Sequence, residues 1–273
     1  KSNHLKVIMI ISKIKAENVL ICSDLHLCPE NLPITNFFCE WILSKCDKKY
    51  PRYRPDWLLI LGDLFDHWIG DDLINSDRKG AFEIIINKLD KCFLTLKSLN
   101  ISVGIMHGNR DFLMGEKLLK HIHAQQLDNL VKLKSSQNAN DILLVHGDEL
   151  CTDDTKHQIF RELVKTSHWQ EQFKSKPIIE RQKIANSLRG QSETEKAAKT
   201  MEIMDVNPES ADFFLKKNNA SALIHGHTHL PGKNILPSGK YRWVIPNWTV
   251  SDCGKVNGGA IEVKQNKIRQ ILT

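Results

Sequence analysis

Trp57-Leu58-Leu59-Ile60-Leu61-Gly62-Asp63-Leu64-Phe65-Asp66 opens with five apolar residues and then breaks at glycine and a carboxylate. An unbroken apolar run of this length reads as a strand buried on both faces, the pattern of parallel strands covered on each side. Such a strand carries the residue that follows it to the carboxyl edge of the sheet, where α/β folds bind ligands. Taken alone, Gly62-Asp63 is equally a turn with a solvated aspartate. The choice depends on the other strand ends.

Four more apolar runs end in polar, metal-competent residues. Asn18 to Cys22 runs into Ser23-Asp24-Leu25-His26, and Ile101 to Met106 into His107-Gly108-Asn109-Arg110-Asp111. Asp141 to Val145 runs into His146-Gly147-Asp148, and Ser221 to Ile224 into His225-Gly226-His227-Thr228-His229. Between these runs lie helical patterns. Phe82, Ile85, Ile86, Leu89, Phe93, Leu96 and Leu99 recur at spacings of three and four, and Phe37, Phe38, Trp41 and Ile42 suggest an earlier helix. Trp243–Ile245, Ala260–Val263 and Ile268–Leu272 read as closing strands. Leu150 to Asp205 holds helical patterns but no convincing strand. The predicted architecture is α/β, a β-sandwich flanked by helices, with a helical lid insertion at about 152–205 inside a domain spanning 18–273. Residues 1–17 are read as an N-terminal extension.

The chain has 273 residues, 41% hydrophobic and 26% charged, which is globular composition. Its seven cysteines include no Cys-x-x-Cys pair, so reduced thiols and a cytoplasmic setting are expected. No apolar run approaches the length of a membrane span. The net charge is +6, and between Thr155 and Thr200 ten Lys/Arg face five Glu and no Asp. That run is either a solvated helical surface or an attraction for phosphate or an anionic membrane.

Asp-x-His at 24 and 26, and His-x-His at 227 and 229, would place both side chains on one side of an extended segment. Mixed carboxylate, amide and imidazole ligands suit Mn²⁺, Fe²⁺ or Zn²⁺ better than Ca²⁺. Each residue alone has a bland reading as a turn or a hydrogen-bonded core residue. Five strand ends, each carrying such residues, argue for one shared site.

Asp24-x-His26, Gly62-Asp63, Gly108-Asn109, His146-Gly147 and Gly226-His227-x-His229 resemble the signature of the calcineurin-like metallophosphoesterases. The resemblance implies two metal ions bridged by Asp63, with Asp24, His26 and His229 completing one site and Asn109, His146 and His227 the other. His225 falls outside the pattern. Finer features, namely Arg110 after Gly108-Asn109, Trp68-Ile69-Gly70-Asp71-Asp72, Leu150-Cys151-Thr152-Asp153-Asp154 and Ile203-Met204-Asp205-Val206-Asn207, resemble the UDP-2,3-diacylglucosamine diphosphatase family of the lipid A pathway. That resemblance implies two Mn²⁺ ions and hydrolysis of the pyrophosphate to UMP and 2,3-diacylglucosamine 1-phosphate. A metal-activated hydroxide would attack the uridine-side phosphorus. It implies catalytic roles for Asp63, Asn109, Arg110 and His227. It implies substrate contacts at Asn109, Arg110, Asp154, Ser192, Lys196, Lys199 and His227.

A two-tailed lipid needs shelter. Phe160, Leu163, Val164, Trp169, Phe173, Ile178 and Ile179 either line an apolar cleft under the lid or form ordinary helix core. The expected partners are the UDP-linked diacyl glucosamine lipid and the cytoplasmic face of the inner membrane, to which the protein would attach peripherally. No obligate protein partner is evident. A nuclease or cyclic-nucleotide phosphodiesterase is the competing reading, but the basic residues are not interleaved with aromatics as on a base-stacking platform, so no nucleic acid is expected. A metal-stabilised module without catalysis is a third reading, disfavoured by the complete ligand set and Arg110.

Overall fold

The computed structural model describes residues 11–46, 51–77, 80, 82–136, 140–198 and 201–273. Chain order begins β1 (Ser12–Lys15), β2 (Asn18–Cys22), α1 (Leu32–Cys46), β3 (Trp57–Leu61), α2 (Phe82–Ser98), β4 (Ser102–Met106), α3 (Glu116–His121) and β5 (Gln125–Gln126). It continues through β6 (Val131–Lys134), β7 (Asp141–Leu144), α4 (Thr155–Val164), α5 (Ser167–Lys174), α6 (Ile178–Ala198), α7 (Met201–Met204) and α8 (Pro208–Lys217). It ends with β8 (Ala220–His225), β9 (Gly232–Ile235), β10 (Tyr241–Val244), β11 (Thr249–Val250), β12 (Val256–Asn257), β13 (Gly259–Lys264) and β14 (Lys267–Leu272).

Two six-stranded sheets face each other, ordered β14-β13-β2-β3-β4-β5 and β1-β6-β7-β8-β10-β9. The strand that opens the sequence argument sits in the middle of the first, with β2 and β4 parallel to it on either side. Its unbroken apolar run follows from burial on both faces. Leu58 and Ile60 join the core under α1 and α2, with Phe38, Ile42, Ile85 and Phe93. Leu59 and Leu61 point the other way, into the inter-sheet core with Met106, Leu133, Leu144 and Ile224. On the far side of the second sheet, Leu143 and Leu223 pack against Ala211 and Leu215 of α8. The result is a helix–sheet–sheet–helix stack with three apolar layers.

One boundary moves. Ser12–Lys15, assigned by the sequence to an N-terminal extension, forms β1 and pairs in parallel with Val131–Lys134. Its short run Ser-Lys-Ile-Lys buries Ile14 alone among its side chains, which is why an edge strand of this kind carries little apolar signal. Residues 1–10 lie outside the described residues.

The helices α4 to α7 interrupt the second sheet between β7 and β8. Three charged contacts fasten them to loops that follow metal-competent residues. Arg161 of α4 reaches Asp148 Oδ2 at 2.6 Å. Arg181 of α6, 1% exposed, grips the Asp72 carboxylate with both guanidinium nitrogens and also donates to the Ile69 carbonyl. Arg189 of α6 meets Asp66 at 2.9 Å.

Leu59 is fully buried at the centre of the inter-sheet layer. Leu59→Ala is expected to lower unfolding stability by about 2–5 kcal/mol, the range for a leucine truncated in a packed core. Urea denaturation measures it, and a loss well below about 1 kcal/mol would contradict an inter-sheet core at this position.

Candidate metal centre and cleft

The metal-competent side chains emerge from both sheets. Asp24, Asp63 and Asn109 follow β2, β3 and β4 of one, and His146, His227 and His229 follow β7 and β8 of the other. The backbone turns sharply at these positions. Asp24, His26, Asp63, His227 and His229 all adopt positive φ, at 53°, 49°, 51°, 66° and 56°. Non-glycine residues rarely occupy this left-handed region, and such strain gathers at functional sites. The extended geometry expected for Asp-x-His and His-x-His is therefore replaced by left-handed turns, although the paired side chains still converge.

Close approach of the loops requires glycine at two points. A Cβ at Gly108 would overlap the Asp63 backbone and carboxylate, and one at Gly226 would overlap Ser23 and Asp24. Asp111 then ties two loops together. Its fully buried carboxylate accepts from Leu64 N at 2.8 Å, from Phe65 N at 3.3 Å and from Gly108 N at 2.8 Å. Asp63 Oδ1 in turn accepts from Arg110 N at 2.9 Å. Asp24 Oδ2 accepts from His227 N at 2.9 Å across the sheet boundary.

The remaining polar atoms point at one another. His26 Nε2 and His229 Nε2 are 3.2 Å apart, and Asp24 Oδ1 lies 3.9 Å and 3.4 Å from them. Asp24 Oδ1 is buried without a hydrogen-bond partner. Asp63 Oδ2 stands between the groups, 4.0 Å from His26 Nε2 and 3.7 Å from His146 Nε2. Asn109 Oδ1 is 2.9 Å from both His146 Nε2 and His227 Nδ1. Ligand atoms of Asp24, His26 and His229 lie within 4.8 Å of one another, as do those of Asp24, Asp63 and His146. An orphaned carboxylate oxygen facing imidazole nitrogens is a donor set that a divalent transition metal satisfies.

The electrostatics agree. Burial disfavours the charged form of Asp24, yet His229, His146 and His26 hold its carboxyl well below the usual range. Burial lowers His26 to about 4 and puts His227 well below an ordinary histidine. His146 goes the other way. Burial opposes its protonation, but Asp63, Asp24 and Asp148 outweigh it and push it up to about 9. His146 Nδ1 faces the Leu61 carbonyl at 2.8 Å, so Nδ1 carries a proton and Nε2 is the ligating nitrogen.

Of the expected substrate contacts, Asn109, Arg110, Asp154, Ser192 and His227 line one cleft of about 380 Å³. Lys196 lies on α6 with its side chain outside the description, and Lys199 lies outside the described residues. His225 stays out of the clusters, fully buried, with Nδ1 2.8 Å from the Gly226 carbonyl. The apolar insertion residues divide between the two roles. Phe160, Trp169 and Phe173 line the cleft, Ile178 packs on the helix core and Val164 is buried. Leu163 and Ile179 face solvent.

Four residues of the site were not singled out by their position in the sequence. Asp66 and Asp111 sit in the quoted motifs, but nothing in the string says what they hold. Arg189 is one cation among ten. His157 has no sequence signal, yet its ring lies 5.3 Å from that of His227 in the cleft wall, with Nε2 buried and unpartnered.

Metal coordination must displace the proton that His146 Nε2 holds below about pH 9. Apparent Mn²⁺ affinity is therefore expected to rise by about tenfold per pH unit from pH 6.5 to 8.5, with proton uptake by the buffer in titration calorimetry. A flat profile would show that His146 is already deprotonated in the free protein.

The calcineurin-like phosphoesterase family matches residues 17–231. A UDP-2,3-diacylglucosamine hydrolase of Bordetella pertussis is 34% identical over 252 residues, covering 91% of this chain and 92% of that one. One from Aromatoleum aromaticum is 35% identical over 235 residues, 85% and 89% of the two chains. One from Sodalis glossinidius is 32% identical over 256 residues, 92% and 96%. With its ligand-bearing strand ends, its convergent carboxylates and imidazoles and these relatives, the chain belongs to the calcineurin-like phosphoesterases and, among them, to the UDP-2,3-diacylglucosamine hydrolase family.

Proposed function

We propose that this chain hydrolyses the pyrophosphate bond of UDP-2,3-diacylglucosamine, releasing UMP and 2,3-diacylglucosamine 1-phosphate in lipid A biosynthesis. One observation carries the reading beyond family membership. A single cleft joins the metal-competent end, at Asn109, Arg110 and His227, to an aromatic end at Phe160, Trp169 and Phe173. A pyrophosphate attached to acyl chains requires that pairing of polar and apolar walls.

Two divalent ions fit the donor set, with Mn²⁺ as the expected metal. Asp24, His26 and His229 would hold one, Asn109, His146 and His227 the other, and Asp63 would bridge them. Such ions polarise phosphate oxygens and make water nucleophilic near neutral pH. The chain's own residues orient the reaction. Asp111 fixes the loops bearing Asp63 and Asn109, and the Arg110 backbone holds Asp63 Oδ1. Asn109 Oδ1 is shared by His146 and His227, which locks its amide in place. The Arg110 guanidinium lines the cleft, where its planar fork would offset charge growing on phosphoryl oxygens. Asp154 caps α4 by accepting from His157 N at 3.2 Å, which sets the start of the lid at the cleft rim.

The insertion supports peripheral attachment to the cytoplasmic face of the inner membrane. Among the described residues no helix is long and apolar enough to cross a membrane. Ile159, Leu163 and Ile179 are exposed on the basic lid helices, suited to dipping into a lipid interface.

Turnover in ¹⁸O-labelled water tests the chemistry. Water oxygen is expected in UMP, with the bridging oxygen leaving on the sugar phosphate. Label in the lipid phosphate would reverse the direction of attack, and absence of turnover would remove the substrate assignment. Arg110→Ala is expected to lower kcat by about 10²-fold while thermal midpoint and bound metal stay near wild type. Unchanged kcat would take Arg110 out of the reaction.

A further inference from the structure

Asp66 lies three residues past Asp63, is 5% exposed, and has no part in the mechanism above. Its Oδ1 accepts from Arg110 Nη1 at 2.8 Å. Its Oδ2 lies 2.9 Å from Arg189 Nη1. His67 Nδ1 is 3.6 Å from Oδ2, and His26 Nδ1 is 4.0 Å from Oδ1. One carboxylate is thus shared by two guanidinium groups from separate parts of the fold. Arg110 comes from the loop after β4, and Arg189 from the lid helix α6. All three residues line the cleft that contains His227.

Two observations argue that this hub does more than fasten the lid. First, α6 is already held. Arg181 is buried against Asp72 and the Ile69 carbonyl, and Gln182 Nε2 lies 2.6 Å from His67 Nε2. Arg189 is eight residues further along, about 12 Å of helix, and its side chain is 40% exposed. An ion pair whose cation is this exposed adds little to the stability of the lid. Second, one carboxylate cannot neutralise two guanidinium groups. Within the hub two guanidinium groups meet a single carboxylate, at the metal-competent end of the cleft. Guanidinium forks that fit a carboxylate also fit phosphate oxygens, so both can turn from Asp66 to an arriving anion without new geometry.

We propose that Asp66 is a positioning residue that holds Arg110 and Arg189 as a paired clamp for the two phosphoryl groups of a pyrophosphate diester. The core loop and the lid then engage the substrate through one shared carboxylate. The proposal deepens the hydrolase reading and rests on it for the natural substrate. In the free protein Asp66 keeps the two cations from repelling each other. With substrate bound, Arg189 takes the phosphoryl group farther from the metal-competent residues and Arg110 the nearer one.

The test compares wild type, Arg189→Ala, Asp66→Asn, Asp66→Glu and the double variant Asp66→Asn/Arg189→Ala, all loaded with Mn²⁺. Bound metal and thermal midpoint are measured alongside kinetics. With UDP-2,3-diacylglucosamine, Arg189→Ala is expected to raise KM about tenfold and change kcat less than about threefold, since it removes a binding contact. Asp66→Asn is expected to lower kcat/KM by about 10²-fold, Asp66→Glu to recover part of the loss, and the double variant to fall little below Asp66→Asn alone. With bis(p-nitrophenyl) phosphate, which has one phosphorus, Arg189→Ala is expected to stay within about twofold of wild type. UDP as a competitive inhibitor of that reaction is expected to bind about tenfold more weakly to Arg189→Ala. Equal losses on both substrates, additive losses in the double variant, or a fall in bound metal or thermal midpoint that tracks activity in Asp66→Asn would overturn the clamp. A wild type that cleaves bis(p-nitrophenyl) phosphate but not the UDP lipid would end the hydrolase reading instead, and UDP inhibition would still decide the clamp.

Discussion

The hydrogen bond between His146 Nδ1 and the Leu61 carbonyl joins the two sheets at the point where the chemistry is assembled. Leu61 ends β3 in one sheet and His146 follows β7 in the other. A carbonyl only accepts, so this contact fixes the tautomer and turns Nε2 toward Asp63 and Asn109. A second cross-sheet bond, His227 N to Asp24 Oδ2, orients the Asp24 carboxylate. Neither exists unless the inter-sheet layer of Leu59, Leu61, Leu144 and Ile224 holds the sheets in register. The centre is a property of the seam, and apolar packing sets the spacing of its polar groups.

The loops at that seam carry backbone strain in a regular way. Five of the seven expected ligands sit at positive φ. Such conformations cost about 1–3 kcal/mol each, and they persist only where surrounding contacts over-determine them. Asp111 supplies part of that constraint with three backbone donors from two loops, and Gly108 and Gly226 let the loops approach to the needed distance. The strain has a use, since a sharp left-handed turn lets Asp24 and His26, or His227 and His229, face one point from a short peptide.

These features explain what could be read from the string. Apolar runs that end in Asp, Asn or His are local patterns, so the five strands that carry the candidate ligands were legible, and with them the candidates themselves. The means of convergence was not, because φ at a ligand depends on which loop opposes it. The strand Ser12–Lys15 was missed because an edge strand with one buried side chain has no two-sided apolar run. Asp66, Asp111, His157 and Arg189 were invisible for a different reason. Their roles are set by partners 44 to 123 positions away or by a ring tilted against another in the cleft wall, and no spacing rule reaches that far.

The lid shows the same dependence on distant partners and changes the meaning of its charge. Counted by sequence, Thr155 to Thr200 has five cations in excess. Arg161, Arg181 and Arg189 face Asp148, Asp72 and Asp66, all outside that segment. Those three pairings offset part of that excess, Asp66 being shared with Arg110. Much of the basic character therefore serves to seat the lid on the loops that follow His146 and Asp63. Attraction to an anionic surface, at about 1 kcal/mol per basic residue near it, then rests chiefly on lysines rather than on these arginines. Seating and membrane attraction are thereby assigned to different side chains. Because each seating aspartate lies two to nine residues past a metal-competent one, the position of the lid and the geometry of the centre are set by the same loops.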